Sequence, residues 1–244
     1  MTHRFFCVII SKNYILAFIL LSLVIFGLTF PNSYHLAVIT TSISKTTMQY
    51  DVILDPGHGG IDSGGRGGEN TYEKDITLDI VLQMKEILEN AGLTVGLTRD
   101  SDTDATHWTN ESSSRHRRDL IGRFKALHGG KLGMSVHVNA AKDTNQKGAI
   151  VFYHRNSYID HRYAQAVFDQ VERVQTMNHT FVVPRSNLML LKVKPPVIMV
   201  EIGFLSNELD YAKLIEPTFR KSMAEALSQG ILSFFSLYAL EQTE

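Results

Sequence analysis

Two periods of apolar residues alternate along this chain. Tyr50 to Asp55 holds an unbroken Val-Ile-Leu triplet instead of an in/out alternation, which predicts a strand covered on both faces, and Pro56-Gly57 ends it. From Glu73 to Ala91 the apolar positions Ile76, Ile80, Met84, Ile87 and Ala91 form a helical stripe, closed by Gly92 as a left-handed cap. Leu93 to Thr98 predicts a second strand, Arg115 to His128 a second helix ending at Gly129-Gly130, and Leu132 to His137 a third strand. Further strands are expected at Ala149 to Tyr153, Leu188 to Leu191 and Val197 to Ile202. Further helices are expected near Ser157 to Val174, Glu208 to Ile215 and Thr218 to Tyr238. Such alternation predicts an α/β fold around a mostly parallel or mixed sheet, with no internal repeat and no low-complexity tract.

The pattern changes before residue 48. Ile15 to Phe30 is a continuous apolar run, preceded by His3, Arg4 and Lys12 and followed by Pro31-Asn32-Ser33. Its helical length of about 24 Å falls short of a bilayer core of about 30 Å, although flanking apolar residues can extend it. No good small-x-small cleavage site follows, so an uncleaved signal-anchor over residues 1–30 is favoured over a cleaved signal that would release a secreted form. The basic flank places the N-terminus inside and the domain outside. Residues 31–47, rich in Ser and Thr, read as a linker, and residues 48–240 as one catalytic domain.

Charge and cysteine content narrow the chemistry. With 24 basic and 25 acidic residues the chain has no global field to hold nucleic acid. Its single cysteine, Cys7, has no partner for a disulfide, so a metal site must draw on His, Asp or Glu.

Four residues answer that description. His58 follows the first strand in Asp55-Pro-Gly-His-Gly-Gly60, Glu73 opens the first helix, His137 ends a strand, and Glu201 interrupts the apolar run Val197 to Phe204. Each would reach the carboxyl edge of one sheet, where α/β proteins bind their ligands. Two histidines and two carboxylates there suit a mononuclear zinc hydrolase, in which three residues hold the metal and the fourth acts as base. Taken singly, His58 would be a turn residue, Glu73 a helix cap and His137 a satisfied core histidine; it is their convergence that favours a site. A carboxylate within such an apolar run needs a charge partner, such as an Arg in a structural ion pair, or its pKa rises. Asp55 and Asn139 are candidates for holding substrate or supporting the ligands, and Asn139 alternatively shapes the turn before Ala140. Ser206 and Asn207 read as a helix cap or as cleft contacts. Arg115-His116-Arg117-Arg118 reads as a solvated helix start.

These motifs, together with Glu73-Lys-Asp75, Ser135-Val-His-Val-Asn-Ala140 and Val200-Glu-Ile-Gly-Phe-Leu-Ser-Asn207, resemble the zinc-dependent N-acetylmuramoyl-L-alanine amidases of the amidase-3 family. The resemblance runs from about Val52 to Phe235. It implies a twisted six-stranded sheet flanked by helices, one Zn²⁺ held by His58, Glu73 and His137, and Glu201 as catalytic acid/base. Residue patterns alone leave open which glutamate binds the metal. The implied substrate is peptidoglycan, cut between muramic acid and L-alanine, with any need for an activating partner protein left open. Ser101-Asp-Thr-Asp104 and Leu188-Met-Leu-Leu191 look like the germination-specific amidases of spore formers, which act in making the muramic-δ-lactam of spore cortex. His128 stands where relatives commonly have Asn. Rival readings are a zinc carboxypeptidase or endopeptidase on the stem peptide, and a wall-binding protein with a dead site. A serine hydrolase using Ser135 is disfavoured because no Gly-x-Ser-x-Gly elbow surrounds it.

Overall fold

The computed structural model describes residues 48–68 and 70–241 of the chain. The expected signal-anchor, linker and Cys7 lie outside them, and among the described residues no helix is long and apolar enough to cross a membrane.

Six strands form one mixed sheet: β1 (Tyr50–Pro56), β2 (Val95–Leu97), β3 (Gly130–Asn139), β4 (Ile150–His154), β5 (Val183–Arg185) and β6 (Val197–Phe204), in the spatial order β2-β1-β3-β6-β4-β5. Every pairing is parallel except β4 with β6, which is antiparallel. Among the described residues five helices accompany the sheet: α1 (Glu73–Asn90), α2 (Arg115–Leu127), α3 (Tyr158–Val171), α4 (Glu208–Leu214) and α5 (Pro217–Glu241).

Strand parity decides which side chains meet which layer. Val52, Leu54, Met134, Val136, Ile198, Val200 and Ile202 join residues of α1, α3 and α5 in the larger core. The opposite face carries Ile53 and Val197, which pack with Leu127 of α2 and with Leu190 and Leu191. Both faces are therefore covered, as the unbroken apolar triplets require. Toward the carboxyl end of this second face the odd positions turn polar: Asp55 and Ser135 are register partners on β1 and β3, and His137 and Glu201 on β3 and β6.

Helix ends follow from local chemistry. Glu73 and Asp75 sit in the first turn of α1, where the dipole favours acids, and Gly92 ends the helix at φ +89°, its N–H donating to Glu89 O at 2.9 Å. Ser114, Ser157 and Asn207 cap α2, α3 and α4.

One expected strand is wrong. Leu188 to Leu191 is not extended; Leu190–Lys192 forms a 3-10 turn, and the sixth strand is the three-residue β5. Leu190 and Leu191 are buried because the turn tucks them against the second core, not because they lie in the sheet. The short β5 contains Pro184, which the edge of a sheet tolerates, and so carries almost no strand signal of its own.

Candidate metal centre and its supports

The glycine-rich stretch after β1 turns back over the carboxyl edge of the sheet and presents His58, a non-glycine residue held at φ +60°. Glu73 arrives from the first turn of α1 and His137 from β3. Ligating atoms of these three residues lie within 4.8 Å of one another, the single group of this kind among the described residues. His58 Nε2 is 3.1 Å from Glu73 Oε2, and His137 Nδ1 is 2.9 Å from Glu73 Oε1. The two imidazoles meet edge to face, with centroids 5.0 Å apart.

The surrounding backbone is built to admit this approach. A Cβ on Gly57 would lie 2.5 Å from the His137 ring, and one on Gly64 would lie 2.5 Å from Glu73 Oε2 and 2.6 Å from the His58 ring. Main-chain N–H groups complete the carboxylate's shell, with Val138 N donating to Oε1 at 2.8 Å and Gly65 N to Oε2 at 2.7 Å. His58 is aimed from behind by Asp62, whose carboxylate lies 3.1 Å from Nδ1. A carboxylate behind a ligating imidazole fixes ring orientation and raises basicity.

Electrostatics agree with a cation-binding set. Burial penalises the Glu73 carboxylate, but His137 and His58 outweigh it and hold its pKa far below the usual range. Burial lowers the pKa of His58, yet Glu73 and Asp62 overcome it and raise it to about 8. A proton on His58 thus supplies positive charge that a divalent cation would supply in its place. Two nitrogens and one carboxylate suit zinc with a position left open.

Glu201 stands beside this group without joining it. It is the register partner of His137, so both side chains leave the same face. Its Oε2 is buried and accepts no hydrogen bond. Burial raises its pKa to about 7, with His137 opposing the rise.

Of the remaining residues singled out in the sequence, Asp55 is fully buried. It accepts from Thr98 Oγ1 at 2.5 Å, Ser135 Oγ at 2.6 Å and Arg123 Nη1 at 2.7 Å, a place beneath the loop with no surface to offer substrate. The same bond occupies the buried Ser135 and withholds it from nucleophilic work. Asn139 shapes the turn, its Oδ1 accepting from Ala140 N at 2.8 Å. Ser206 Oγ accepts from Ala141 N at 3.0 Å, while Asn207 caps α4. His107, His154, His161 and His179 belong to no such group.

Sequence reading missed Asp62, Arg99 and Arg123. A carboxylate four residues after His58 was a usable signal for Asp62. The two arginines gave none, because only the fold shows that they point inward.

Residues 52–233 match the family model described as N-acetylmuramoyl-L-alanine amidase. The chain is 33% identical over 190 residues to the germination-specific N-acetylmuramoyl-L-alanine amidase of Bacillus subtilis, covering 76% of this chain and 79% of that one. It is 27% identical to AmiA of Escherichia coli, covering 75% of each. Among solved structures it resembles the CwlD amidase from Clostridioides difficile, determined in complex with the GerS lipoprotein. That match has a TM-score of 0.70 and 31% identity, and covers 76% of this chain and 98% of that one.

Proposed function

This chain belongs to the N-acetylmuramoyl-L-alanine amidase family, and from that premise we propose that His58, Glu73 and His137 hold one zinc ion and that Glu201 moves the protons of the reaction. The reaction is hydrolysis of the peptidoglycan amide that joins muramic acid to L-alanine. The observation that carries the assignment of roles is the contrast between the two glutamates. Glu73 is bonded through both oxygens and is held ionised, as a ligand must be; Glu201 has one buried oxygen without a hydrogen bond and a pKa raised to about 7, as suits a proton shuttle.

When bound, zinc supplies a Lewis acid that polarises the scissile carbonyl and acidifies water. Glu201 accepts a proton from the attacking water at its unbonded carboxylate oxygen. It then delivers that proton to the departing alanine nitrogen, which leaves as a neutral amine. Asp62 keeps His58 in one ring orientation throughout, and Gly64 and Gly65 leave the Glu73 side of the rim free of side chains. No covalent intermediate is needed, which agrees with the burial of Ser135.

The setting we propose is outside the cytoplasmic membrane, with residues 1–30 as signal-anchor, 31–47 as linker and 48–240 as the working domain. The identity with a germination-specific amidase supports a role in spore cortex, where freeing the lactyl carboxylate prepares the muramic acid for lactam closure. A protein partner is supported by the similar CwlD amidase, whose structure was determined with a lipoprotein.

Two experiments test this reading. Peptidoglycan digested with zinc-loaded protein, analysed by mass spectrometry, should show new N-terminal alanine on intact glycan strands. New termini inside the stem peptide would instead indicate a peptidase. His58→Ala or His137→Ala should each abolish tight zinc binding as well as activity; full zinc occupancy in either variant would remove that residue from the ligand set.

A further inference from the structure

Beneath the ligand-bearing loop lie two arginines that the reaction itself does not use. Arg99 follows the end of β2 and Arg123 lies on α2; they are 4% and 3% exposed. Guanidinium groups at this depth are costly unless their N–H groups find acceptors. Here four of the nine bonds they donate go to main-chain carbonyls of three consecutive residues, Pro56 at the end of β1 and Gly57 and His58 in the loop after it. Pro56 O receives Arg99 Nε at 3.1 Å and Arg123 Nη1 at 2.7 Å. Gly57 O receives Arg99 Nη2 at 2.9 Å, and His58 O receives Arg123 Nη2. Arg99 Nη2 also donates to Lys74 O at 2.8 Å, the carbonyl next in sequence to Glu73. One nitrogen therefore spans the two segments that carry His58 and Glu73. Asp55 and Asp119 balance the charge of Arg123, and Thr77 Oγ1 adds a bond to Gly57 O at 2.9 Å.

We propose that Arg99 and Arg123 are positioning residues that clamp the loop carbonyls, fix the spacing of His58 to Glu73, and so set the protein's affinity for its metal. The proposal rests on the reading of His58, Glu73 and His137 as zinc ligands. A buried ion pair for stability alone would need only the carboxylates. It would not need bonds to Pro56, Gly57, His58 and Lys74, the backbone on either side of the ligands. The loop also needs such restraint. Gly57, Gly59 and Gly60 leave it little conformational preference of its own, and His58 sits at a positive φ that a side chain rarely adopts. Released, the loop would have to be ordered at the moment of metal binding, and that cost would come out of the affinity.

The test uses the full chain, stripped of metal and titrated with zinc against a fluorescent chelator at a temperature where circular dichroism shows each variant folded. Arg99→Lys and Arg123→Lys should each weaken zinc binding by about 10–100-fold, the range for removing groups that orient metal ligands. A lysine gathers its three donors on a single nitrogen and cannot reproduce the spread of the planar fork. Leu88→Ala, at the far end of α1 and fully buried, should lower the unfolding temperature yet leave zinc affinity unchanged. Should an arginine variant not fold, Thr77→Val, which removes only the hydroxyl on Gly57 O, should still weaken zinc binding several-fold. Folded clamp variants that bind zinc as tightly as the parent would overturn the clamp while leaving the ligands in place. A parent chain that takes up no zinc would overturn the ligand reading, and the clamp with it.

Discussion

Glu201→Gln is expected to lower the rate of amide hydrolysis by about 10²–10⁴-fold while leaving zinc binding intact, because it removes a proton carrier and not a ligand. Loss of metal together with rate would make Glu201 a ligand and reopen the role of Glu73. A second readout separates the two without any substrate. The Glu201 carboxyl titrates at about 7 in the fold, because burial penalises its charge, against an ordinary value of 4.5. For a carboxyl raised in this way the native state holds the proton more firmly than the unfolded chain. The group therefore costs nothing below pH 4.5, costs progressively more as pH rises toward 7, and carries its full penalty above it. Glutamine has no such penalty. In the presence of a chelator, Glu201→Gln should be up to about 3 kcal/mol more stable than the parent at pH 8 and near parity at pH 4. Thermal melts would show this as a gap on the order of 5–10 °C that closes on acidification. A pH-independent gap would mean that the carboxylate is not carrying an uncompensated charge.

Gly57→Ala is expected to cripple the metal centre through one methyl group. Gly57 does not occupy the left-handed region, so alanine costs the backbone little there. Its methyl, however, would sit 2.5 Å from the His137 ring, which is bounded on other sides by Glu73 and the His58 ring. Overpacking of this kind costs about 1–3 kcal/mol, and here it falls on the position of a proposed ligand, which corresponds to roughly 5–150-fold in zinc affinity. Gly92→Ala is the natural comparison. A Cβ there meets nothing within 4 Å, but the residue is at φ +89°, so it should lower stability without touching zinc binding. Equal zinc affinity in Gly57→Ala and the parent would show that His137 need not hold the position seen here.

What could be read from the chain followed how locally each feature was encoded. The buried strands β1, β3 and β6 announce themselves by unbroken apolar runs, and α1 by its stripe and its Gly92 cap. Of His58, Glu73, His137 and Glu201 only Glu201 stands out alone, by interrupting an apolar run; the other three drew notice because the order of strands and helices sends all four toward one sheet edge, where the fold does bring His58, Glu73 and His137 together. The three-residue β5 was not legible, since its pairing with β4 is supplied by a neighbour that the local sequence does not reveal. Leu188 to Leu191 misled for the complementary reason: burial makes a short apolar run look like a strand whether or not it pairs. Arg99 and Arg123 were hidden more deeply. An arginine on a helix reads as solvated, and only the crossing of α2 over the carboxyl edge of β1 turns Arg123 toward Pro56 and His58.

The place of β6 makes the sheet close late along the chain. It is the last strand in sequence yet lies inside the sheet, joined to β3 on one side and to β4 on the other. In the finished fold β2, β1 and β3 are joined to β4 and β5 only through β6, so nothing made before Val197 can link the two groups of strands. Closure waits on long-range contacts, which form slowly. The same closing strand brings Glu201. A partial chain therefore has neither a continuous sheet nor the proposed proton carrier, both of which arrive with the last 48 of its 244 residues.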